Sequence, residues 1–274
     1  MTAGGNARHA RRNEILKELG LTPLWRTRAA GTASTAATSQ PSELPQEHQP
    51  VPAPLASPEM RAERGEQICS HSASEVLKDR QVKISEMDWG QLETSIASCT
   101  ACGLCQSRTH TVPGVGDQNA DWLYIGEGPG AQEDLTGEPF VGQAGKLLDN
   151  MLTAIDLKRG RRVFITNIVK CRPPANREPR PEEAQCCEPY LTRQIELIKP
   201  KLIIALGKVA AQNLLGTDAS LGGLRGRLHQ HSGIPVIVTY HPAYLLRTLP
   251  AKAKAWEDLC FARSTMETLL QSGN

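Results

Sequence analysis

The chain has 274 residues, enough for one large domain or two small ones. Its 39 % hydrophobic and 22 % charged residues suit an ordinary globular protein, and a net charge of +2 does not by itself announce a nucleic-acid partner. No apolar run approaches the roughly 20 residues that cross a bilayer, and the basic start MTAGGNARHARRNE has no apolar stretch behind it. Neither a membrane span nor a secretory signal is therefore expected, and a cytoplasmic location is.

In chain order, residues 12–26 place Ile15, Leu16 and Leu19 on a helical stripe ending at Gly20, so residues 1–28 read as a short helical N-terminal segment. Residues 29–84 read as a disordered linker. Its first half, 29–60, holds six prolines and seven alanines with no Phe, Trp or Tyr, too little apolar area to offset the entropy of ordering. The N-terminal segment is either a weakly structured tail or a tethered peptide that docks on a replication or repair protein. No active-site motif lies in residues 1–80, and their removal is expected to leave a folded domain at 85–274.

Order resumes near residue 85. Asp88 with Gln91 three residues later forms a capping box, and Trp89, Leu92 and Ile96 share one helical face. Four short apolar runs follow: WLYIG (122–126), VFITN (163–167), KLIIALG (201–207) and VIVTY (236–240). Helical patterns at 142–156, 181–198 and 208–215 separate them, and another follows at 252–270. Strands alternating with helices predict a three-layer α/β/α sandwich around a four-stranded parallel sheet. Ligands of such sheets bind beyond the carboxyl ends of the strands.

The first strand runs into GEGPGAQED (126–134), whose glycines permit a tight turn and close backbone approach to a ligand. Its spacing is wrong for the G-x-G-x-x-G dinucleotide loop, and no acidic residue ends the second strand to hold a ribose. In TGEPFVGQAG (136–145), Phe140 sits among glycines, either as core or as a stacking platform for a planar base. Asn167 ends the second strand, either capping a turn or offering one donor and one acceptor to a base edge. The fourth strand ends in HPAYLLR (241–247), where Leu245, Leu246 and Arg247 read as an apolar wedge beside a cation, suited to pushing between stacked bases. Eight cysteines, several of them clustered, point to metal ligands rather than disulfides.

Together these segments resemble family 4 uracil-DNA glycosylases over about residues 99–262. GEGPGAQED and HPAYLLR resemble the two active-site motifs, and TNIVKCRPPANR and PFVGQAGKLL stand in the family's order and spacing. No KRRIH-type covalent-trapping loop is present. The resemblance implies a uracil-DNA glycosylase-like fold and a [4Fe–4S] cluster on Cys99, Cys102, Cys171 and one of Cys186 or Cys187. Fifteen residues between Cys171 and the last ligand favour Cys187. Cys105 is then an extra thiol, and Cys69 and Cys260 are inert. Zinc is the rival ion, since four thiolates suit either, but a zinc ribbon would bring a second C-x2-C pair.

The resemblance further implies uracil-containing DNA as substrate and hydrolysis of the N-glycosidic bond to leave an abasic site. Phe140 would stack on the flipped uracil, Asn167 would read its edge, and His241 would donate to O2 as negative charge grows there. Glu127 and Glu133 match the family's acidic residues and would orient water or stabilise a sugar cation; Glu127 as a mere loop cap is the alternative. Gly128 stands where better-known uracil glycosylases carry a catalytic aspartate. Lys170, Arg172, Arg177, Arg225 and Arg227 are candidate phosphate contacts. The cluster would brace loops rather than carry electrons. The competing readings are a non-catalytic DNA-binding or polymerase-associated module of the same fold, and an iron–sulfur electron carrier.

Overall fold

Each of the four apolar runs becomes a strand, and the four pair in parallel at the centre of a six-stranded sheet. A computed structural model describes residues 78–272. The strands are β1 (Val115–Gly116), β2 (Trp122–Gly126), β3 (Val163–Asn167), β4 (Leu202–Leu206), β5 (Leu228–His231) and β6 (Ile234–Thr239), in the order β1-β3-β2-β4-β6-β5. The four parallel strands read from the sequence lie in the order β3-β2-β4-β6, and β1 and β5 extend the sheet to six as antiparallel edges. Neither edge carries a strong sequence signal. The first is two residues long, and the second is LHQH, polar and half exposed. A two-residue turn joins β5 to β6, with Ser232 and Gly233 both at positive φ (50° and 81°), the geometry whose twist matches a hairpin.

The central strands are buried on both faces, which is why they read as continuous apolar runs. Along β2, Leu123 and Ile125 enter one core, while Trp122 and Tyr124 enter the other. The first core is covered by the helical residues 78–85 (α1), by α2 (Trp89–Ala97) and α5 (Pro181–Ile198), and by α6 (Lys208–Leu215) and α7 (Leu221–Leu224). The second is covered by α4 (Gln143–Thr153), α8 (Pro242–Arg247) and α9 (Ala251–Ser272). A short α3 (Ala131–Thr136) follows the loop after β2. The capping box at α2 forms as its sequence indicates: Gln91 N donates to Asp88 Oδ1 at 2.9 Å, and Asp88 N donates to Gln91 Oε1 at 3.0 Å. None of the described helices is long and apolar enough to cross a membrane.

The N-terminal helical segment and most of the proposed linker lie outside the described residues. The linker's last part does not. Residues 78–85 are helical, Ile84 is only 2 % exposed in the first core, and Arg80 donates to the Cys186 carbonyl at 2.9 Å. The boundary therefore moves from 84/85 to residue 78 or earlier. The composition that signals disorder is concentrated in 29–60, and the single helical turn pair after it has too few apolar residues to announce itself. Removing residues 1–77 should leave a folded protein, whereas Ile84→Ala should cost about 2–5 kcal/mol as a truncated core residue. Thermal unfolding of both variants checks this; equal midpoints for Ile84→Ala and the parent would contradict the packing of α1.

Candidate active site

All four parallel strands deliver residues from their carboxyl ends into one cavity of ≈ 680 Å³. Strand β2 leads into Glu127 and Gly128, β3 ends in Asn167, β4 is followed by Gly207 and Lys208, and β6 is followed by Tyr240 and His241. Glu133 and Phe140 join them from the loop and helix after β2. Of the six residues assigned to catalysis or base binding from sequence, Glu127, Gly128, Glu133, Phe140, Asn167 and His241, every one lines this cavity.

Asn167 is 1 % exposed, and its Oδ1 is a buried acceptor with no hydrogen-bond partner in the protein. Such an atom costs about 1–3 kcal/mol until a donor reaches it. Among the described residues the other unpartnered buried atom is the Tyr124 hydroxyl, inside β2 rather than at its end. Gly126 makes the close grouping possible. A Cβ there would stand 2.5 Å from Asn167 Oδ1 and 2.6 Å from Phe140 Cζ, closer than side chains allow. Gly207 serves His241 in the same way: at φ 93°, it leaves room where a Cβ would come within 2.9 Å of His241 Cβ. Gly126→Ala should therefore displace both Asn167 and Phe140. We expect it to lower the uracil excision that the resemblance implies while leaving the unfolding midpoint within a few degrees of the parent, read by oligonucleotide cleavage beside a melting curve; full activity would contradict this packing.

The ring of Phe140 lies 5.4 Å from that of His241, tilted by 31°. Phe140 sits at φ 57°, an uncommon backbone state held from both sides. Arg159 donates to the carbonyls of Pro139 and Phe140, each at 2.8 Å, and Glu133 Oε1 accepts from the N–H groups of Val141 and Gly142, each at 3.1 Å. Gly145 lets the Phe140 carbonyl pass close over the start of α4. Glu133 thus holds the loop that presents Phe140, a role different from the catalytic one expected of it. Arg159, which also pairs with Asp149, carries no sequence signal for this role because the carbonyls it holds lie about twenty residues away.

His241 accepts at Nδ1 from the Ala243 N–H, 3.2 Å away, which leaves its proton on Nε2 as the donor the ring can offer the cavity. Burial, reinforced by the positive charge of Arg247 and opposed by Glu133, lowers its pKa to about 4, so the ring is neutral at pH 7. Burial, with the negative charge of Glu178 and against the positive charge of Lys208, raises Glu127 to about 7. Lys208 had no signal beyond its place after a strand-ending glycine.

Two sequence expectations change here. Leu245 is 1 % exposed and packs in the second core, so it is not part of a wedge. Neighbours on a helix point about 100° apart, and on α8 only one of the two leucines can face out; Leu246, 43 % exposed, does, with Arg247 exposed beside it. Four of the five candidate phosphate contacts are hydrogen-bonded within the fold. Lys170 is buried and donates to Thr166 Oγ1, the Asn167 carbonyl and Gln194 Oε1, all at 2.7 Å. Arg177 binds both Glu183 oxygens, and Arg225 both Asp258 oxygens. Arg172 donates to Asn176 Oδ1, and Arg227 is exposed.

On the far side of Lys170 a second cavity is lined by Cys99, Cys102, Cys105, Cys171, Cys186 and Cys187. Arg108 donates to Cys171 Sγ at 3.2 Å and to the Cys99 carbonyl at 2.7 Å; the Lys170 backbone N–H donates to Cys187 Sγ at 3.3 Å. Cys187 is 9 % exposed, and burial pushes its thiol up to about 12, so the metal-binding thiolate needs positive charge nearby. Cys186 is more exposed, and its carbonyl is held by Arg80. Among the described residues no three His, Cys, Asp or Glu side chains come close enough to share one metal ion. Cys260 is exposed on α9, while Cys69 lies outside the described residues.

Comparison with known proteins gives a consistent picture. The family model described as "Uracil DNA glycosylase superfamily" matches residues 113–260. A type-4 uracil-DNA glycosylase of Archaeoglobus fulgidus is 46 % identical over 159 residues, 55 % of this chain and 79 % of that protein. One from Pyrobaculum aerophilum is 44 % identical over 181 residues, 63 % of this chain and 92 % of the relative. A third, from Thermotoga maritima, is 46 % identical over 154 residues, 56 % and 80 % of the two chains.

Proposed function

Since the chain belongs to the uracil DNA glycosylase superfamily and to its type-4 branch, we propose that it removes uracil from DNA by hydrolysing the bond between base and deoxyribose, leaving an abasic site for base-excision repair. The observation that carries the proposal is the buried, unpartnered Oδ1 of Asn167 at the end of β3. A base turned out of the stack would enter the cavity beside Phe140. Its N3–H would meet Asn167 Oδ1, and its O4 would accept from the Asn167 amide. Cytosine offers the opposite polarity at both positions, and sites built on buried polar pairs reject such mismatches strongly.

As the glycosidic bond lengthens, the base takes up negative charge and the sugar positive charge. Neutral His241, with its proton on Nε2, donates to O2 without itself needing to change charge. A preorganised donor of this kind contributes about 3–4 kcal/mol at the transition state. Glu127, when ionised, faces the sugar with a negative charge and a lone pair for water. Gly128 adds no side chain between them, so departure of the base rests more on holding the uracil anion than on a strong base. Leu246 would fill the space left in the stack, with Arg247 against a phosphate.

We further propose that Cys99, Cys102, Cys171 and Cys187 hold a [4Fe–4S] cluster. The gathering of six cysteines around one cavity, the burial of Cys187 and the N–H groups aimed at two of the sulfurs support it. Bound there, the cluster would supply structural bracing: Lys170 reaches the Cys187 sulfur with its backbone and the Asn167 carbonyl with its ammonium.

Oligonucleotides identical except for one uracil, cytosine or thymine test the base reading. Alkali should cleave only the uracil strand after incubation; equal cleavage at cytosine would overturn the role of Asn167. The pH dependence tests Glu127. Its carboxyl is protonated below about 7 and ionised above, so excision should fall as pH drops from 8 to 6, and Glu127→Gln should flatten that limb. A parent profile already flat across this range would remove Glu127 from the chemistry.

A further inference from the structure

Beside the uracil cavity the structure carries an aromatic stack that none of the steps above uses. Tyr240 and Tyr244 lie ring on ring, centroids 5.3 Å apart and planes within 10°. The guanidinium of Arg225 sits 4.5 Å from the centroid of Tyr240. Arg225 is fixed in turn by Asp258, 3 % exposed, through bonds of 2.7 and 2.9 Å, and Asp258 also accepts from Thr239 Oγ1 at 2.7 Å. The stack is therefore anchored in the fold at one end. At the other end, Tyr244 is 39 % exposed at the cavity mouth. Arg247 lies three residues on, on the same face of α8, and lines the same cavity.

We propose that the exposed ring of Tyr244 is a stacking platform for the nucleobase next to the target uracil on the same strand, with Arg247 placed for that nucleotide's phosphate. The proposal rests on the function given above, because the uracil cavity fixes where the strand must run. Three features carry it. An aromatic held flat by a second ring and a buried ion pair loses little entropy when a base settles on it. Tyr244 lines the cavity that takes the flipped base and is still 39 % exposed. And a ring beside a cation matches one nucleotide, base and phosphate together, whatever the base, since every base has a π-face.

The test is a coupling measurement on single strands carrying 2′-fluoro-2′-deoxyuridine, whose fluorine destabilises the sugar cation and blocks cleavage. The residues flanking it are either ordinary nucleotides or abasic spacers. Spacers should weaken binding to the parent protein about tenfold or more, the scale of a lost base stack. In Tyr244→Ala the same spacers should cost less than twofold, while Tyr244→Phe should keep the parent's penalty. Arg247→Ala should lower affinity and its salt dependence yet keep the spacer penalty. An equal spacer penalty in parent and Tyr244→Ala, or none in the parent, overturns the platform. Excision of ordinary deoxyuridine is scored separately: its absence with the coupling present removes the proposed function and leaves the platform, and the reverse removes the platform alone.

Discussion

Asn167→Ala is expected to slow uracil excision by about 10²-fold or more, the scale on which preorganised polar groups act at a reacting centre. The alanine removes both the acceptor for N3–H and the donor for O4, and with them the reason for uracil to stay in the cavity. His241→Ala should have an effect of similar size, through the lost donor to O2. The two should not add, because both act on the same base through the same bound geometry. Neither change touches a phosphate contact, so affinity for undamaged DNA and its dependence on salt should stay at the parent's values. Single-turnover excision and anisotropy titrations measure the two quantities side by side. Excision that survives His241→Ala would leave the fold intact and remove this chemistry from it.

The second large effect concerns the cysteines. Protein purified without oxygen should be yellow-brown and hold about four iron and four acid-labile sulfide per chain. Cys187→Ala should lose most of the iron, and Cys186→Ala and Cys105→Ala should keep it. Excision should fall with the iron, because Lys170 links the Cys187 sulfur to the backbone of Asn167. A colourless protein with one zinc per chain would contradict the cluster, and greater iron loss from Cys186→Ala than from Cys187→Ala would reassign the fourth ligand.

What the sequence made legible was the part ruled by short-range patterns. Four apolar runs named four central strands, and the capping box of Asp88 and Gln91 forms as read. The residues at the strand ends, Glu127, Asn167 and His241, fall into one cavity because parallel strands bring all their carboxyl ends together. What stayed hidden depends on partners distant in the chain. Arg225 and Arg177 looked like free cations until Asp258 and Glu183 were seen to hold them. Lys170 is a cation in the middle of a loop motif, but three oxygens gathered from strand and helix allow it to be buried. Leu245 and Leu246 are alike as sequence, and only the direction of α8 separates core from surface. The role of Glu133 was hidden for the same reason, since the amides it holds belong to a loop whose course no local pattern fixes.

The most direct measurement counts product. Full-length protein is incubated with a single-stranded oligonucleotide containing one deoxyuridine; free uracil is quantified by chromatography, and abasic sites by alkaline cleavage of the same sample. One uracil should appear per abasic site, with the strand whole until alkali is added, and Asn167→Ala purified in the same way should release almost none. A parent protein that binds the oligonucleotide normally and releases no uracil would contradict the enzyme outright and leave a DNA-binding module built on the same fold.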